Sequence, residues 1–362
     1  MRKFIIVMLL LFMMGFLFLR VAREKVRHDL AQPINEPVLS PTPTIVLDRN
    51  NKTTTSLFVP YWSLSDQTAP ADNYDEYIYF GITPTKSGIS TSDSGAQNSD
   101  AFTQDVPSGK RKLVALRMID AETNSEILKS SSLQQKVITQ TVAFTKANGY
   151  DGVVLDLEIS GIPFDSLVNQ INAFSESFAK AAKKEQLQFD LTLYGDTFYR
   201  LRPFDVKTLA KSADGIMLMA YDFHKARSNP GPNFPMSGQE HYGYDIGKMA
   251  DDFIQAVPNQ KLTVVFGLFG YDWEVDNNGK AIAQGVPLTY LQIQHKFLNG
   301  CSYNACRITR DSVSAETEIQ YTDEANQKHI VWFEDMQSVR SKEQELRKKG
   351  ITNFSFWANS YF

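Results

Sequence analysis

Cysteine is nearly absent from this chain. The 362 residues include two, Cys301 and Cys306. Four residues separate them and no second Cys or His pair accompanies them, so they make no zinc signature. Outside the cytoplasm they would close a small loop as a disulfide. No G-x-G-x-x-G or Walker pattern follows any apolar run, which removes the common dinucleotide and nucleotide-phosphate loops. No serine stands in a nucleophile elbow, and no His/Cys/acid cluster has metal-ligand spacing. Acyl transfer and metal-dependent chemistry are therefore poor readings, and neither a metal nor a cofactor is expected. The net charge of −4 lacks the basic excess of a nucleic-acid binder. No internal repeat is visible beyond an alternation of strand-like and helix-like segments.

The chain does have one long apolar run and many aromatics (24 Phe, 15 Tyr, 4 Trp). Arg2 and Lys3 precede an uncharged stretch, Phe4–Leu19, and a charged stretch follows it without a small-x-small cleavage site. Residues 1–30 read as an N-terminal membrane anchor or signal segment, the uncleaved anchor being favoured. Arg20, Arg23, Lys25 and Arg27 would by the positive-inside rule pull the following side to the cytoplasm. Residues 31–54, with P-T-P-T at 41–44, have the composition of a semi-extended linker.

From about residue 55 to 362 the pattern alternates. Strands are expected at Ser56–Trp62, Glu76–Gly81, Lys112–Met118, Gly152–Glu158, Gln188–Tyr194, Gly215–Tyr221, Lys261–Gly267 and Asn353–Trp357. Helical periods fill gaps between them, at Leu133–Ala147, Phe164–Lys184, Asp205–Ser212, Asp245–Ala256 and Met336–Lys349. Eight such units predict a (β/α)8 TIM barrel, with a doubly wound open sheet as the runner-up. Thr83–Gly109 reads as a loop. An insertion before the last helix, about 274–330, is expected to hold a helix at Leu288–Leu298 started by Pro287. A hairpin follows there, Glu316–Tyr321 with His329–Phe333. Asp335 is placed to cap the last helix.

The most informative stretch is Tyr150–Glu158, Y-D-G-V-V-L-D-L-E. Strand alternation puts Val154, Asp156 and Glu158 on one face. Two acids on one face repel, and burial adds to the cost of ionising both, which is how a carboxyl group stays protonated and becomes a general acid. A barrel carries its chemistry where the strands end. Those ends read Tyr61-Trp62, Gly81, Arg117, Asp156-x-Glu158, Tyr194, Tyr221-Asp222, Gly270-Tyr-Asp-Trp273 and Trp357. Acids among aromatics suit a sugar: rings stack on its apolar faces and carboxyls bind hydroxyls or protonate glycosidic oxygens.

These residues resemble the family 18 glycoside hydrolases. Asp151-Gly-Val-Val-Leu-Asp-Leu-Glu158 is similar to the strand-four motif D-G-x-D-x-D-x-E, and Met219-Ala-Tyr-Asp222 to the strand-six motif M-x-Y-D. Gly267-Leu-Phe-Gly-Tyr-Asp-Trp273 and Val331-Trp-Phe-Glu-Asp335, with Ser338 and Lys342, resemble the branch of spore-cortex and germination-type N-acetylglucosaminidases. The resemblance implies a retaining, substrate-assisted hydrolysis of an N-acetylglucosamine-containing polysaccharide, peptidoglycan or chitin-like. Glu158 would be the general acid, Asp156 would orient the acetamido N–H, and Tyr221 would donate to the acetyl oxygen. Trp357 would form the sugar's floor, with Asp222, Met219, Tyr61, Trp62, Tyr194 and Trp273 as further substrate contacts. That substrate would put the barrel outside the cytoplasm, tethered to the cell membrane by its N-terminal segment or secreted. Two departures stand out. Val154 replaces the relay Asp of chitinases, and the Ser-x-Gly-Gly motif of strand three is absent. Both speak against a conventional chitinase, and Val154 raises the alternative of a weak or inactive carbohydrate-binding pseudoenzyme of the cell envelope.

Overall fold

The computed structural model describes residues 53–66, 70, 73–159 and 161–362. The expected membrane segment at 1–30 and nearly all of the 31–54 linker lie outside these residues. Among the described residues no helix is long and apolar enough to cross a membrane.

The eight barrel strands are β1 (Thr55–Pro60), β2 (Glu76–Ile82), β3 (Arg111–Met118), β4 (Gly152–Leu157), β5 (Gln188–Tyr194), β6 (Gly215–Ala220), β7 (Leu262–Gly267) and, last in the chain, β13 (Asn353–Trp357). They close as β1-β13-β7-β6-β5-β4-β3-β2, every pair parallel. The open-sheet runner-up is thereby excluded. The main helices are α1 (Ala121–Lys129), α2 (Ser131–Ala147), α3 (Asp165–Lys184), α4 (Val206–Ser212), α5 (Ile246–Ile254) and α6 (Met336–Lys348). Five of the six start on a side-chain cap (Asp120, Ser130, Asp205, Asp245, Asp335), which satisfies backbone donors the first turn leaves free.

Strand alternation sorts the apolar residues into two cores. Outward side chains such as Val153, Leu155 and Leu191 pack with helix residues such as Phe174, Phe178 and Leu209. Inward ones, Phe58, Ile78, Leu113, Ala115, Val154, Met217 and Val265, fill the barrel itself. The barrel is thus a packed plug rather than a pore. Val154 belongs to that plug, so the carboxylate expected of a chitinase at this position has been exchanged for apolar filling.

Several local expectations are corrected. Tyr61 and Trp62 are not on β1, because the chain turns at Pro60 into a 3-10 helix, Tyr61–Asp66. Thr83–Gly109 is not a plain loop. It carries short helices at Ser94–Gln97 and Ser99–Asp105, pinned by Phe102, whose ring lies 4.9 Å from that of Tyr79. Helix α1 was not foreseen at all.

The insertion begins earlier than expected. Immediately after β7, β8 (Phe269–Val275) leaves the barrel and joins β9 (Val286–Thr289), β10 (Asn304–Arg310), β11 (Thr317–Thr322) and β12 (Lys328–Phe333) in an antiparallel sheet ordered β9-β8-β12-β11-β10. The β11–β12 hairpin has the foreseen pairing, and Asp323 holds its turn by accepting from the Ala325 and Gln327 amides. Pro287 does not open a helix: it lies in β9, and Thr289 with Gln292 forms the capping box of the short helix Tyr290–Ile293. Cys301 and Cys306 are joined, with their Cα atoms 6.4 Å apart.

Candidate active site

The strand ends open into a cleft of about 470 Å³. Asp156, Glu158, Thr192, Met219, Tyr221 and Asp222 line it from β4, β5 and β6. Phe58, Trp62, Phe80 and Trp357 line the opposite wall, and Tyr271, Leu288 and Gln292 of the insertion close one side. The apolar plug containing Val154 lies beneath this cleft and does not fill it.

Asp156 is the penultimate residue of β4 and is almost fully buried, 3% exposed. Its Oδ1 accepts from the Thr192 hydroxyl at 2.6 Å, while its Oδ2 has no partner among the described residues. Burial, reinforced by the charge of Glu158, pushes its pKa up to about 7; Thr192 and Arg117 pull the other way. Glu158 follows β4 and is anchored by its backbone N–H to the Met118 carbonyl at 2.9 Å. Its Oε2 accepts from the Tyr194 hydroxyl at 3.1 Å.

Tyr221 follows β6. Burial and the neighbouring charges of Asp156 and Glu158 hold its pKa well above that of free tyrosine, so it stays a hydroxyl donor at any physiological pH. Gly267 on the adjacent β7 makes room for it: a Cβ there would lie 2.8 Å from the Tyr221 Cβ and 2.4 Å from the Phe269 ring.

Asp222 has a left-handed backbone, φ 59°. Its N–H donates to the Asn233 side chain at 2.7 Å and its Oδ1 accepts from the Tyr271 hydroxyl at 2.7 Å. Burial raises its pKa. Asn233 is fixed in turn by Glu316, which accepts from the Asn233 and Phe234 amides at 2.6 and 2.8 Å. The inserted sheet therefore reaches the site through β11 and the loop after β6.

The three residues expected to carry the reaction, Asp156, Glu158 and Tyr221, face one cleft, together with Met219, Asp222, Trp62 and Trp357. Trp357 stacks edge-on with Phe80, ring centroids 4.7 Å apart. Tyr194 touches the site through Glu158, in a side recess with Asp196 and Arg202. Two expected contacts are corrected. Tyr61 stands behind Trp62 and Arg117 rather than on the cleft wall. Trp273 is fully buried against Val275 and Trp332, its indole N–H donating to the Ala226 carbonyl at 3.2 Å, because β8 turns into the inserted sheet.

Thr192, Arg117 and Tyr271 were not assigned roles from sequence. Thr192 had a readable signal, since it shares the inward face of β5 with Tyr194. Tyr271 had none, because its reach to Asp222 depends on a sheet formed elsewhere. Among the described residues no cluster of three or more His, Cys, Asp or Glu is arranged to hold a metal ion.

The chain is similar in sequence and in fold to known proteins. Residues 55–361 match the Glycosyl hydrolases family 18 profile. The cortical fragment-lytic enzyme of Bacillus anthracis is 25% identical over 245 residues, which cover 66% of this chain and 53% of that enzyme. Mouse chitotriosidase-1 is 23% identical, over 64% of this chain and 54% of its own. The chain thus spans about half the length of these curated relatives. Among solved structures, the family 18 chitinase from Cycas revoluta in complex with allosamidin superposes with a TM-score of 0.73 at 19% identity, covering 85% of this chain and 95% of that one. Human YKL-39, described as a pseudo-chitinase with retained chitooligosaccharide binding, superposes with a TM-score of 0.72 at 17% identity, covering 86% and 93%.

Proposed function

The chain belongs to the glycosyl hydrolases family 18, and on that premise we propose that it hydrolyses glycosidic bonds in an N-acetylglucosamine-containing polymer with assistance from the substrate's own acetamido group. The observation that carries this reading is the pairing at β4: a buried Asp156 with one free oxygen, two residues from a Glu158 that faces the same cleft.

In this reading Glu158 protonates the leaving glycosidic oxygen, oriented by the Tyr194 hydroxyl. The acetamido oxygen attacks the anomeric carbon and the amide nitrogen becomes more acidic. The free Oδ2 of Asp156 accepts that N–H, and the Tyr221 hydroxyl donates to the acetyl oxygen. Trp357 supplies an apolar floor. Burial, reinforced by the charge of Glu158, lets Asp156 keep a proton up to about pH 7, so one proton stays at the site near neutrality. Water, giving its proton to the Glu158 carboxylate, then opens the oxazolinium intermediate from the face the leaving group vacated, so configuration is retained.

The relatives support N-acetylglucosamine polymers of the cortex-peptidoglycan or chitin kind as substrate. The disulfide supports a barrel that works outside the cytoplasm, because such bonds persist in oxidising compartments. The test is mass spectrometry of products from chitooligosaccharides and from purified muropeptides, with Glu158→Gln as control. Cleavage by the parent and its loss in the variant is the expected result; equal cleavage by both overturns the assignment. A second reading, carbohydrate binding without turnover, is favoured by Val154 alone, and bound oligosaccharide with no released product over long incubation would establish it.

A further inference from the structure

Among the described residues that line the cleft Arg117 is the only cation, and the cleft also presents three carboxyl groups, Asp156, Glu158 and Asp222. It is the penultimate residue of β3, in register with Asp156 on β4. Aromatic faces hold it: the guanidinium carbon lies 4.8 Å from the Phe80 ring centroid, 5.1 Å from Tyr61 and 5.7 Å from Trp62. Its Nε–H is buried and has no hydrogen-bond acceptor among the described residues. A guanidinium held by rings at the wall of a cleft is a pre-organised partner for a planar, two-oxygen anion. Its charge already favours an ionised Asp156, and a carboxylate entering a cleft with three acids would be repelled unless a cation met it.

Resting on the hydrolase reading above, we propose that Arg117 recognises a carboxylate carried by the saccharide, so that the cleft prefers an acidic amino-sugar polymer over plain chitin. The carboxylate would come from a lactyl ether, as on muramic acid, or from a uronic acid; both present the same two oxygens. Phe80 links the guanidinium to the Trp357 floor, and its edge-on contact with that indole puts the recognised group next to the sugar resting there.

The test is calorimetric binding in the Glu158→Gln background, which keeps the sugar intact. The probes are a peptide-free oligosaccharide of alternating N-acetylglucosamine and N-acetylmuramic acid, the same oligosaccharide with its lactyl carboxyls amidated, a hyaluronan oligomer and chitotetraose. The acid form should bind about tenfold or more tighter than its amide, the scale of a charge-assisted hydrogen bond. Arg117→Met should bring that ratio near one, and Arg117→Lys should leave it in between. Hyaluronan sharing the preference identifies the carboxylate itself as the feature read, whereas its failure to bind assigns recognition to the lactyl source. A parent ratio near one overturns the proposal whatever the variants do, as does a ratio that survives Arg117→Met. Turnover of the same oligosaccharides by the parent is read separately: no turnover would sink the hydrolase reading and leave the binding ratio to decide this one.

Discussion

Asp156 at the barrel mouth and Glu316 under the inserted sheet are both buried acids, and their surroundings differ in kind. Glu316 accepts from two backbone amides and pairs with Lys342, whose ammonium lies 2.7 Å away and also contacts Glu334; all three side chains are fully buried. Asp156 has one hydroxyl donor, a like-charged neighbour and an oxygen with no partner. An unpartnered oxygen is not by itself the distinction, since Glu334 leaves its Oε2 without one as well. The distinction is what stands beside the acid. In the insertion a buried cation compensates the negative charge, and the cluster locks α6 to β11 and to the loop that carries Asn233. At the mouth no cation pairs directly with Asp156: Arg117 on the neighbouring strand offsets only part of the cost, and a cleft takes the place of an ion pair. The first arrangement holds the fold together; the second leaves an acid poised between its two protonation states near neutrality.

Four substitutions sharpen or break that contrast. Glu158→Gln should leave the fold intact and lower turnover by about 10²–10⁴, read as the rate of oligosaccharide cleavage. Lys342→Met should do the reverse. Two buried acids would lose their cation, and stability should fall by about 3–5 kcal/mol in urea denaturation, with turnover retained well below the new melting temperature. If Lys342→Met proved harmless to stability, the insertion cluster would not be the lock described here.

Thr192→Val removes the hydrogen bond that holds Asp156 down. Its pKa should climb further, and the acidic limb of the kcat/KM profile should move to higher pH, with about a tenfold loss on that limb. The smallest effect is expected at the closed end of the barrel. Burial pushes Glu76 up to about 8 from 4.5. Its folded state therefore keeps a proton that the unfolded chain has released, and the stability it contributes is lost as pH rises through that interval. Glu76→Gln should flatten the decline in unfolding free energy between about pH 5 and about pH 8, by about 1 kcal/mol or more, read by urea denaturation.

How much of this was legible in the sequence follows from the range of the interactions. The barrel strands were readable because each is a short apolar run whose period is local. Asp156, Glu158, Tyr221 and Trp357 were readable because they end such runs. Tyr61 was misplaced because Pro60 turns the chain before it, a local signal that was passed over. Trp273 was misplaced for a less accessible reason: Phe269–Val275 has the composition of a barrel-strand end, but it pairs with residues 53 to 63 positions on, across β12. The capping of α6 by Asp335 could be foreseen from three consecutive residues. The hold of Glu316 on Asn233, across 83 positions, could not, and with it went the link between the insertion and Asp222. Helix α1 was missed because its nine residues carry only two large buried apolar side chains, Ile127 and Leu128, too few to set a period.

The central claim, that one acetamido sugar is gripped by Asp156, Tyr221 and Glu158 and supplies its own nucleophile, is tested most directly by removing the acetyl group from the substrate. Chitotetraose and the fully de-N-acetylated glucosamine tetramer should be incubated with the enzyme and the released sugars measured by mass spectrometry. The account predicts cleavage of the acetylated chain and none of the de-acetylated one. Equal rates on both would contradict it.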